Sequence, residues 1–160
     1  MATRVSFYHL QRSTLEQVLP DLLEKALNSG LRVVVFSGSP ERVADLDSLL
    51  WTWKTDSWLP HGTNCDANPD CQPIYLTDQD ENPNAAQMLV LADGVIPDRI
   101  EHYDRVLNLF DGRDDEAVQQ ARGAWKNWKE QGLELVYYQQ TEQGRWQEKA
   151  RAGQGEPPTA

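Results

Sequence analysis

Apolar positions near the start of the chain pass from a spacing of two residues to a spacing of three and four. Val5, Phe7 and His9 alternate with their neighbours, which predicts a strand over residues 4–10. The next apolar positions fall on one side of a helix. These positions are Leu15, Val18, Leu19, Leu22, Leu23 and Ala26.

The limits of this first helix are set by its capping residues. Ser13 and Glu16 match a capping box, so we expect the helix to begin at Ser13. Pro20 lies inside the run and predicts a kink or a restart, because an interior proline costs about 3 kcal/mol. Gly30 is the predicted residue after the C-cap.

A second strand and helix follow at once. Residues 31–36 are apolar on both faces, which is typical of a buried strand, and Ser39 with Pro40 opens a helix whose core face is Val43, Leu46, Leu49 and Leu50. Further strands are predicted at 73–77, 88–92, 105–110 and 133–139, and a long helix at 114–131. This alternation favours a single α/β domain over residues 1–150 with a parallel sheet, and residues 151–160 are a predicted disordered tail.

Charge narrows the range of functions. Of the 160 residues, 15 are Lys or Arg and 25 are Asp or Glu, so the formal net charge is −10. This balance argues against direct binding to nucleic acid or to an anionic membrane. Residues 41–118 hold five basic and seventeen acidic side chains, whereas residues 119–151 hold six basic and four acidic ones. The sequence contains no membrane-length apolar run and its N-terminus does not resemble a secretory signal, so we expect a cytoplasmic protein.

Two features are candidates for chemistry of another kind. The turn Ser37–Pro40 follows a strand and opens a helix, so it is a candidate phosphate site of an α/β nucleotide-binding enzyme, although it lacks a glycine-rich phosphate motif. His61, Cys65 and Cys71 are residue types that bind zinc, but their spacing is unlike that of paired zinc ligands. We therefore expect an ordinary capped turn, free thiols and no metal or cofactor.

The predicted helix at 114–131 carries the more informative pattern. At about 100° per residue, its core face is Ala117, Ala121, Ala124 and Trp128. Trp125 lies at the edge of this face, beside a stripe formed by Arg122, Lys126 and Lys129. An aromatic slot beside cations suits an acidic peptide that ends in an apolar residue, and Arg can donate two hydrogen bonds to a carboxylate. The alternative is an amphipathic helix with a solvated basic face.

Several segments, taken in order, resemble the chi subunit of bacterial DNA polymerase III. The most specific is Leu46-Asp47-x-x-Leu50-Trp51, followed by Ser57-Trp58-Leu59-Pro60-His61-Gly62. The others are Phe7-Tyr8, the helix end at 26–30, strand 32–35, segments 73–77, 82–84 and 88–91, and Arg122 with Trp125-Lys126-x-Trp128-Lys129. The resemblance covers residues 3–150 and implies one α/β domain with a mainly parallel sheet and helices on both faces.

The resemblance also implies a function. Members of the family link the clamp loader to single-stranded-DNA-binding protein by holding its acidic C-terminal tail, and some pair with a psi subunit; this chain is expected to catalyse no reaction. The implied tail site is Trp51, Trp58, Arg122, Trp125 and Lys126. Val118 stands where one member has a lysine, and Lys129 could supply the missing cation. His61 is expected to be structural.

Overall fold

Strands and helices alternate over most of the chain in a computed structural model, which describes residues 3–52, 60–63, 69–92, 96–97, 100 and 102–152. The helices are α1 (Leu15–Asn28), α2 (Pro40–Thr52) and α3 (Asp115–Glu130), with a 3₁₀ turn at Pro69–Cys71. The strands are β1 (Arg4–Leu10), β2 (Val33–Phe36), β3 (His61–Thr63), β4 (Ile74–Thr77), β5 (Met88–Leu91), β6 (Arg105–Asp111), β7 (Glu134–Gln140) and β8 (Trp146–Ala152).

These strands form one sheet in the order β3-β4-β2-β5-β6-β1-β7-β8. All neighbours are parallel except β7 and β8, which are antiparallel. Phe7 of the interior strand β1 lies between Asn108 of β6 and Tyr137 of β7. The predicted α/β class with a mainly parallel sheet is confirmed.

The helices divide between the two faces of the sheet. Val33 and Val35 of β2 pack in one apolar cluster with Leu19 of α1 and Leu46 of α2, which defines the α1/α2 face. Val34 points the other way and belongs to the cluster that contains Ala121 of α3, which defines the α3 face. Helices therefore cover both faces, as expected.

The distance between α2 and α3 follows from the strands that each helix packs against. Helix α2 contacts β3 and β4 at one end of the sheet, whereas α3 contacts β6 and β7 near the other end. At about 4.8 Å between strands, the two helices are roughly 20 Å apart across the sheet, in addition to lying on opposite faces. Side chains of α2 and α3 thus cannot line one small pocket.

The first helix begins one residue later than predicted. Thr14, not Ser13, is the N-cap: its side chain accepts from Gln17 N, and Gln17 Oε1 accepts from Thr14 N. Ser13 instead accepts a hydrogen bond from Gln140 of β7. The helix continues through buried Pro20 without a restart.

The other end of α1 agrees with the sequence. Gly30 has a φ of +79°, a conformation that costs a glycine little. It closes the helix through hydrogen bonds from Gly30 N to Leu27 O and from Leu31 N to Ala26 O.

Two strands, β3 and β8, were not predicted from the sequence. Strand β3 lies before the strand predicted at 73–77, where no strand is predicted, because three residues are too few to show alternation. Strand β8 is an edge strand whose side chains are mostly polar and exposed, so it carries no apolar pattern, and residues 133–139 are therefore not the last strand. Because β8 ends at Ala152, the ordered sheet extends past the predicted boundary at residue 150; residues 153–160 lie outside the described part.

Candidate functional site

Helix α3 separates a buried alanine face from a basic face. Its N-cap Asp114 accepts a hydrogen bond from Glu116 N, and the predicted core residues Ala117, Ala121, Ala124 and Trp128 are all buried. The side chains of Arg122, Lys126 and Lys129 are exposed. Trp125 is half-buried between the two faces, as the helical spacing predicts.

Trp125 packs on two aromatic side chains, one from each of the neighbouring strands β1 and β7. Its ring centroid is 5.4 Å from that of Phe7 and 6.0 Å from that of Tyr137, in edge-to-face contacts. Phe7 is fully buried and stacks on Tyr137 at 6.2 Å. Such pairs add roughly 0.5–1.5 kcal/mol each beyond area burial, so the indole is held in place by packing.

The three cations of α3 differ from most other arginines of the described chain in their ion pairing. Several arginines elsewhere are engaged: Arg4 with Glu134, Arg42 with Glu16, Arg113 with Asp111 and Arg151 with Glu148. In contrast, Arg122, Lys126 and Lys129 form no ion pair among the residues that the structure describes. Their charges are therefore available to an anionic ligand.

Val118 does not extend this basic face. It lies one helical turn before Arg122 and packs against the apolar cluster of the α3 face. The residue therefore adds apolar surface beside the arginine, and the cations of this surface are Arg122, Lys126 and Lys129.

A histidine and a tyrosine lie beside this surface, at the carboxyl end of β1. The Nδ1 atom of His9 is 2.5 Å from the hydroxyl oxygen of Tyr137. Burial raises the pKa of the Tyr137 hydroxyl, and the positive charge of Arg122 opposes that rise. Burial also lowers the pKa of His9; a hydrogen bond with the Gly112 backbone opposes this shift, and Arg122 adds to it. Arg122 thus lies close enough to act on both groups.

Sequence reasoning missed Phe7, His9 and Tyr137 as parts of this surface. The alternation of β1 places Phe7 and His9 on one face, but the pairing of β1 with β7 joins segments about 130 residues apart. Nothing local in the sequence indicates that pairing, so these residues could not be assigned to the helix that covers them.

Trp51 lies elsewhere. It is in the last turn of α2, on the α1/α2 face, and 58% of its surface is exposed. The structure therefore does not bring Trp51 to Trp125, and the expectation of one pocket containing both needs correction. The reason is topological, since the crossovers from β2 and β6 leave the sheet on opposite faces. Trp58 is outside the described residues.

The motif around Trp51 nevertheless has a clear structural basis. Leu46 and Leu50 point into the core, which leaves Asp47 and Trp51, one helical turn apart, beside β3. The Nε2 atom of His61 lies 3.0 Å from a carboxylate oxygen of Asp47, and the ring centroids of His61 and Trp51 are 4.8 Å apart. We call Asp47, Trp51 and His61 the Trp51 surface.

The other candidate sites gain no support. Ser39 Oγ accepts a hydrogen bond from Arg42 N at 3.2 Å, so the Ser37–Pro40 turn uses this amide for its own cap. Cys71 is an exposed free thiol, and Cys65 lies outside the described residues. Within the described ranges no three His, Cys, Asp or Glu side chains are grouped as a metal site, and no helix is long and apolar enough to cross a bilayer.

Comparison with known proteins gives the family. The family described as "DNA polymerase III chi subunit, HolC" matches residues 2–136, which is most of the chain. The chain belongs to the DNA polymerase III chi subunit family. It is therefore related to an accessory subunit of a replicative polymerase, and only β8 lies wholly beyond the match.

Individual relatives are also described as chi subunits. The chain is similar to a probable DNA polymerase III subunit chi of Rickettsia prowazekii, with 34% identity over 86 residues, or 54% of this chain and 52% of that protein. It is also similar to the chi subunits of Pseudomonas aeruginosa (28% identity; 83% of this chain, 94% of that protein) and Haemophilus influenzae (25%; 84% and 96%). The match thus spans about half of the Rickettsia protein and nearly all of the other two.

Proposed function

We propose that this chain links single-stranded-DNA-binding protein to the clamp loader and is not itself a catalyst. In this proposal Arg122, Trp125 and Lys126 hold the acidic C-terminal tail of single-stranded-DNA-binding protein, with Lys129 as an auxiliary cation. The observation that carries it is a row of cations that form no ion pair within the described part of the chain, beside a tryptophan that packing on Phe7 and Tyr137 holds in place.

The chemistry of the two partners is complementary. The apolar last residue of the tail packs against the Trp125 ring, and Arg122 takes the terminal carboxylate with its two-pronged guanidinium. Exposed ion pairs are worth only about 0–1 kcal/mol each, so Lys126 and Lys129 add little affinity individually. A micromolar dissociation constant, about −8 kcal/mol, is therefore expected, with the aromatic anchor and the terminal carboxylate contributing most.

The distribution of charge supports the same arrangement. The acidic residues are concentrated in 41–118, whereas the basic face of α3 belongs to a segment with a positive balance. An acidic peptide is repelled by most of the surface and attracted to α3, which favours encounter at the proposed site.

Calorimetry tests the tail site directly. The native tail peptide should bind, the peptide without its last residue should bind much more weakly, and Arg122→Ala should lose about tenfold or more in affinity. Arg145→Ala is the matched control, because it removes the same charge from an exposed position before β8. No binding of the native peptide, or equal binding by the Arg122 variant, would exclude this site.

A linking protein needs a second surface, and the Trp51 surface is our proposal for it. Its large aromatic side chain, Trp51, is exposed, and it lies on the opposite face from α3. We assign it to the clamp loader, through the psi subunit where the bacterium has one. Trp51→Ala should abolish capture of the clamp loader and leave binding of the tail peptide unchanged; loss of both would contradict two separate surfaces.

A further inference from the structure

A groove on the α1/α2 face runs between α1 and the hairpin formed by β7 and β8. Val18 and Leu22, one helical turn apart, line its α1 side, and Trp146 of β8 lines the opposite side. The lining residues of α1 extend from Gln17 to its C-cap Ser29, so the groove follows the helix for about 18 Å. Its volume is about 590 Å³, which is room for several side chains of a partner.

Three aromatic side chains form the base and the outer side of the groove. Tyr8 of β1 and Tyr138 of β7 are paired in the sheet, and their rings stack with centroids 5.2 Å apart. Trp146 packs edge-on against Tyr8 at 4.9 Å. All three residues are half-buried. Packing among the rings therefore holds a row of aromatic surface in place, and aromatic side chains are among those that dominate interface energies.

One end of the groove is tied together by Gln140, a buried residue at the end of β7. Its Oε1 atom accepts hydrogen bonds from three successive backbone amides, those of Gln11, Arg12 and Ser13. Its Nε2 atom donates to Ser13 Oγ and to the carbonyl oxygen of Gly144, in the turn before β8. The start of α1 and the hairpin are thus held at a fixed separation, which lowers the entropy lost on binding.

The other end of the groove is basic. Lys25 in the last turn of α1 and Arg105 at the start of β6 both line it, and neither forms an ion pair within the described residues. Burial and Tyr138 raise the pKa of the Tyr8 hydroxyl, whereas Arg105 opposes the rise, so the Arg105 charge acts on the aromatic row. Asp21 is the one acidic residue among the described lining residues. The groove is therefore net basic in a chain whose formal charge is −10.

The spacing of the strands leaves room for a helix in this groove. Helix α1 packs over β6, since Leu107 and Leu109 of β6 share an apolar cluster with Leu19 and Leu23 of α1. Strand β7 is two strands away from β6, which is about 10 Å at the usual strand spacing. Packed helices lie about 8–10 Å apart. A helix above β7 would therefore lie beside α1 at an ordinary packing distance.

We propose that this groove binds an amphipathic α-helix of a partner protein. Its apolar side chains, spaced three or four residues apart, pack on the aromatic row, and its acidic side chains face Lys25 and Arg105. The opposite charges make the two surfaces complementary.

The groove is separate from both surfaces proposed above. It lies on the opposite face of the sheet from Trp125, and at the other edge of the sheet from the Trp51 surface. Tyr138, Gln140 and Trp146 lie beyond residues 2–136, the part that matches the family, so the groove does not follow from family membership. The inference is also independent of the proposed tail binding.

The test uses two synthetic helical peptides of about 15 residues, long enough to span the groove. Both carry leucines at helical spacing; one has glutamates beside them, and the other has lysines at the same positions. Calorimetry with the full chain should show binding of the glutamate peptide and about tenfold weaker binding of the lysine peptide. In nuclear magnetic resonance spectra the glutamate peptide should shift the Trp146 indole signal. Equal binding of the two peptides, or shifts confined to Trp125, would contradict the proposal.

Two variants locate the binding surface. Trp146→Ala should weaken binding of the glutamate peptide about tenfold or more. Trp51→Ala is its matched control, because it removes an exposed tryptophan at the other edge of the same face. Arg105→Glu leaves the aromatic row intact and should weaken binding about threefold to tenfold, whereas Lys129→Glu, the same charge change on the opposite face, should not. Melting curves confirm that each variant is folded.

Other occupants of the groove give different results. Unchanged affinity in both Trp146→Ala and Arg105→Glu would overturn the proposal. Binding of a proline-rich peptide in place of the helical one would also overturn it, since aromatic grooves can bind extended proline-rich segments. A dimer of this chain that dissociates in Trp146→Ala, measured by sedimentation, would show that a second copy fills the groove instead.

Discussion

Two tryptophans on opposite faces of this sheet have contrasting surroundings. Trp125 is half-buried on Phe7 and Tyr137, and the exposed cations of α3 lie beside it. Trp51 is mostly exposed, and its neighbours are Asp47 and His61, which contact each other. The first setting suits an anionic peptide end. The second offers exposed apolar area beside an ion-paired carboxylate, which suits a protein surface.

The contrast shows why residue type alone is a poor guide to a site. The sequence supplies aromatic residues and cations, and it is tempting to group them into one pocket. What decides the grouping is the face on which each crossover helix packs, and the clusters of buried residues assign α2 and α3 to different faces.

The largest expected effect is a difference in tail-peptide affinity between two tryptophan variants. Trp125→Ala should weaken tail-peptide binding about 30-fold or more, as the loss of an aromatic anchor usually does. Trp51→Ala should change it less than twofold, because the helices are roughly 20 Å apart across the sheet. Calorimetry on both proteins measures this, with melting temperatures as the check on folding. Comparable losses in the two variants would contradict the separation.

The site was predictable from sequence where its geometry is local. The four buried residues of α3 and the edge position of Trp125 follow from helical spacing alone, and both predictions are confirmed. The contacts of Trp125 with Phe7 and Tyr137 were not predictable, because these two residues meet only through the pairing of β1 with β7.

The fold shows the same limit. The cap of α1 was misplaced by one residue because Ser13 and Thr14 are each followed, three positions on, by Glu16 and Gln17. Only the tertiary contact of Ser13 with Gln140 separates them. The short β3 and the polar edge strand β8 lack the apolar alternation that identified the central strands.

A second test changes a residue on the α3 face alone and measures its effect on both surfaces. Gly112→Ala should lower the free energy of unfolding by about 1–3 kcal/mol, because the new Cβ collides with the His9 ring and with the Leu10 carbonyl oxygen at 2.8 Å. It should also weaken tail binding and leave clamp-loader capture intact in the protein that remains folded. Urea titration measures the stability.

A matched glycine serves as the control. Gly123 lies inside α3, and a Cβ there would meet nothing within 4 Å, so Gly123→Ala should stabilise the protein by about 0.5–1 kcal/mol. If Gly112→Ala were equally harmless, His9 would not be confined as described.

Salt should also distinguish the two surfaces. Raising the ionic strength from about 0.1 M to about 1 M shortens the Debye length from about 10 Å to about 3 Å, so tail affinity should fall about threefold to tenfold. Lys126→Ala should flatten this dependence, whereas Lys149→Ala, an exposed lysine on β8, should not. Salt-independent tail binding would argue against a role for the α3 cations.

The smallest expected effect is a pH dependence of stability that belongs to His9. Its pKa in the folded protein is lowered from the ordinary value of 6.5, mainly by burial and further by Arg122. Below pH 6.5 the unfolded chain binds a proton that the folded protein takes up only at lower pH. Stability therefore falls as the pH drops from 6.5 toward the folded pKa, and the full cost is reached below it.

His9→Asn isolates this contribution, because it removes the titrating group and keeps a polar side chain beside the Tyr137 hydroxyl. The stability difference between wild type and variant, measured by urea titration at several pH values, should be constant above about pH 7 and should shift in favour of the variant at lower pH. A difference that stays constant at every pH would mean that His9 has the same pKa in the folded and unfolded protein. Burial and Arg122 would then not act on His9 as proposed.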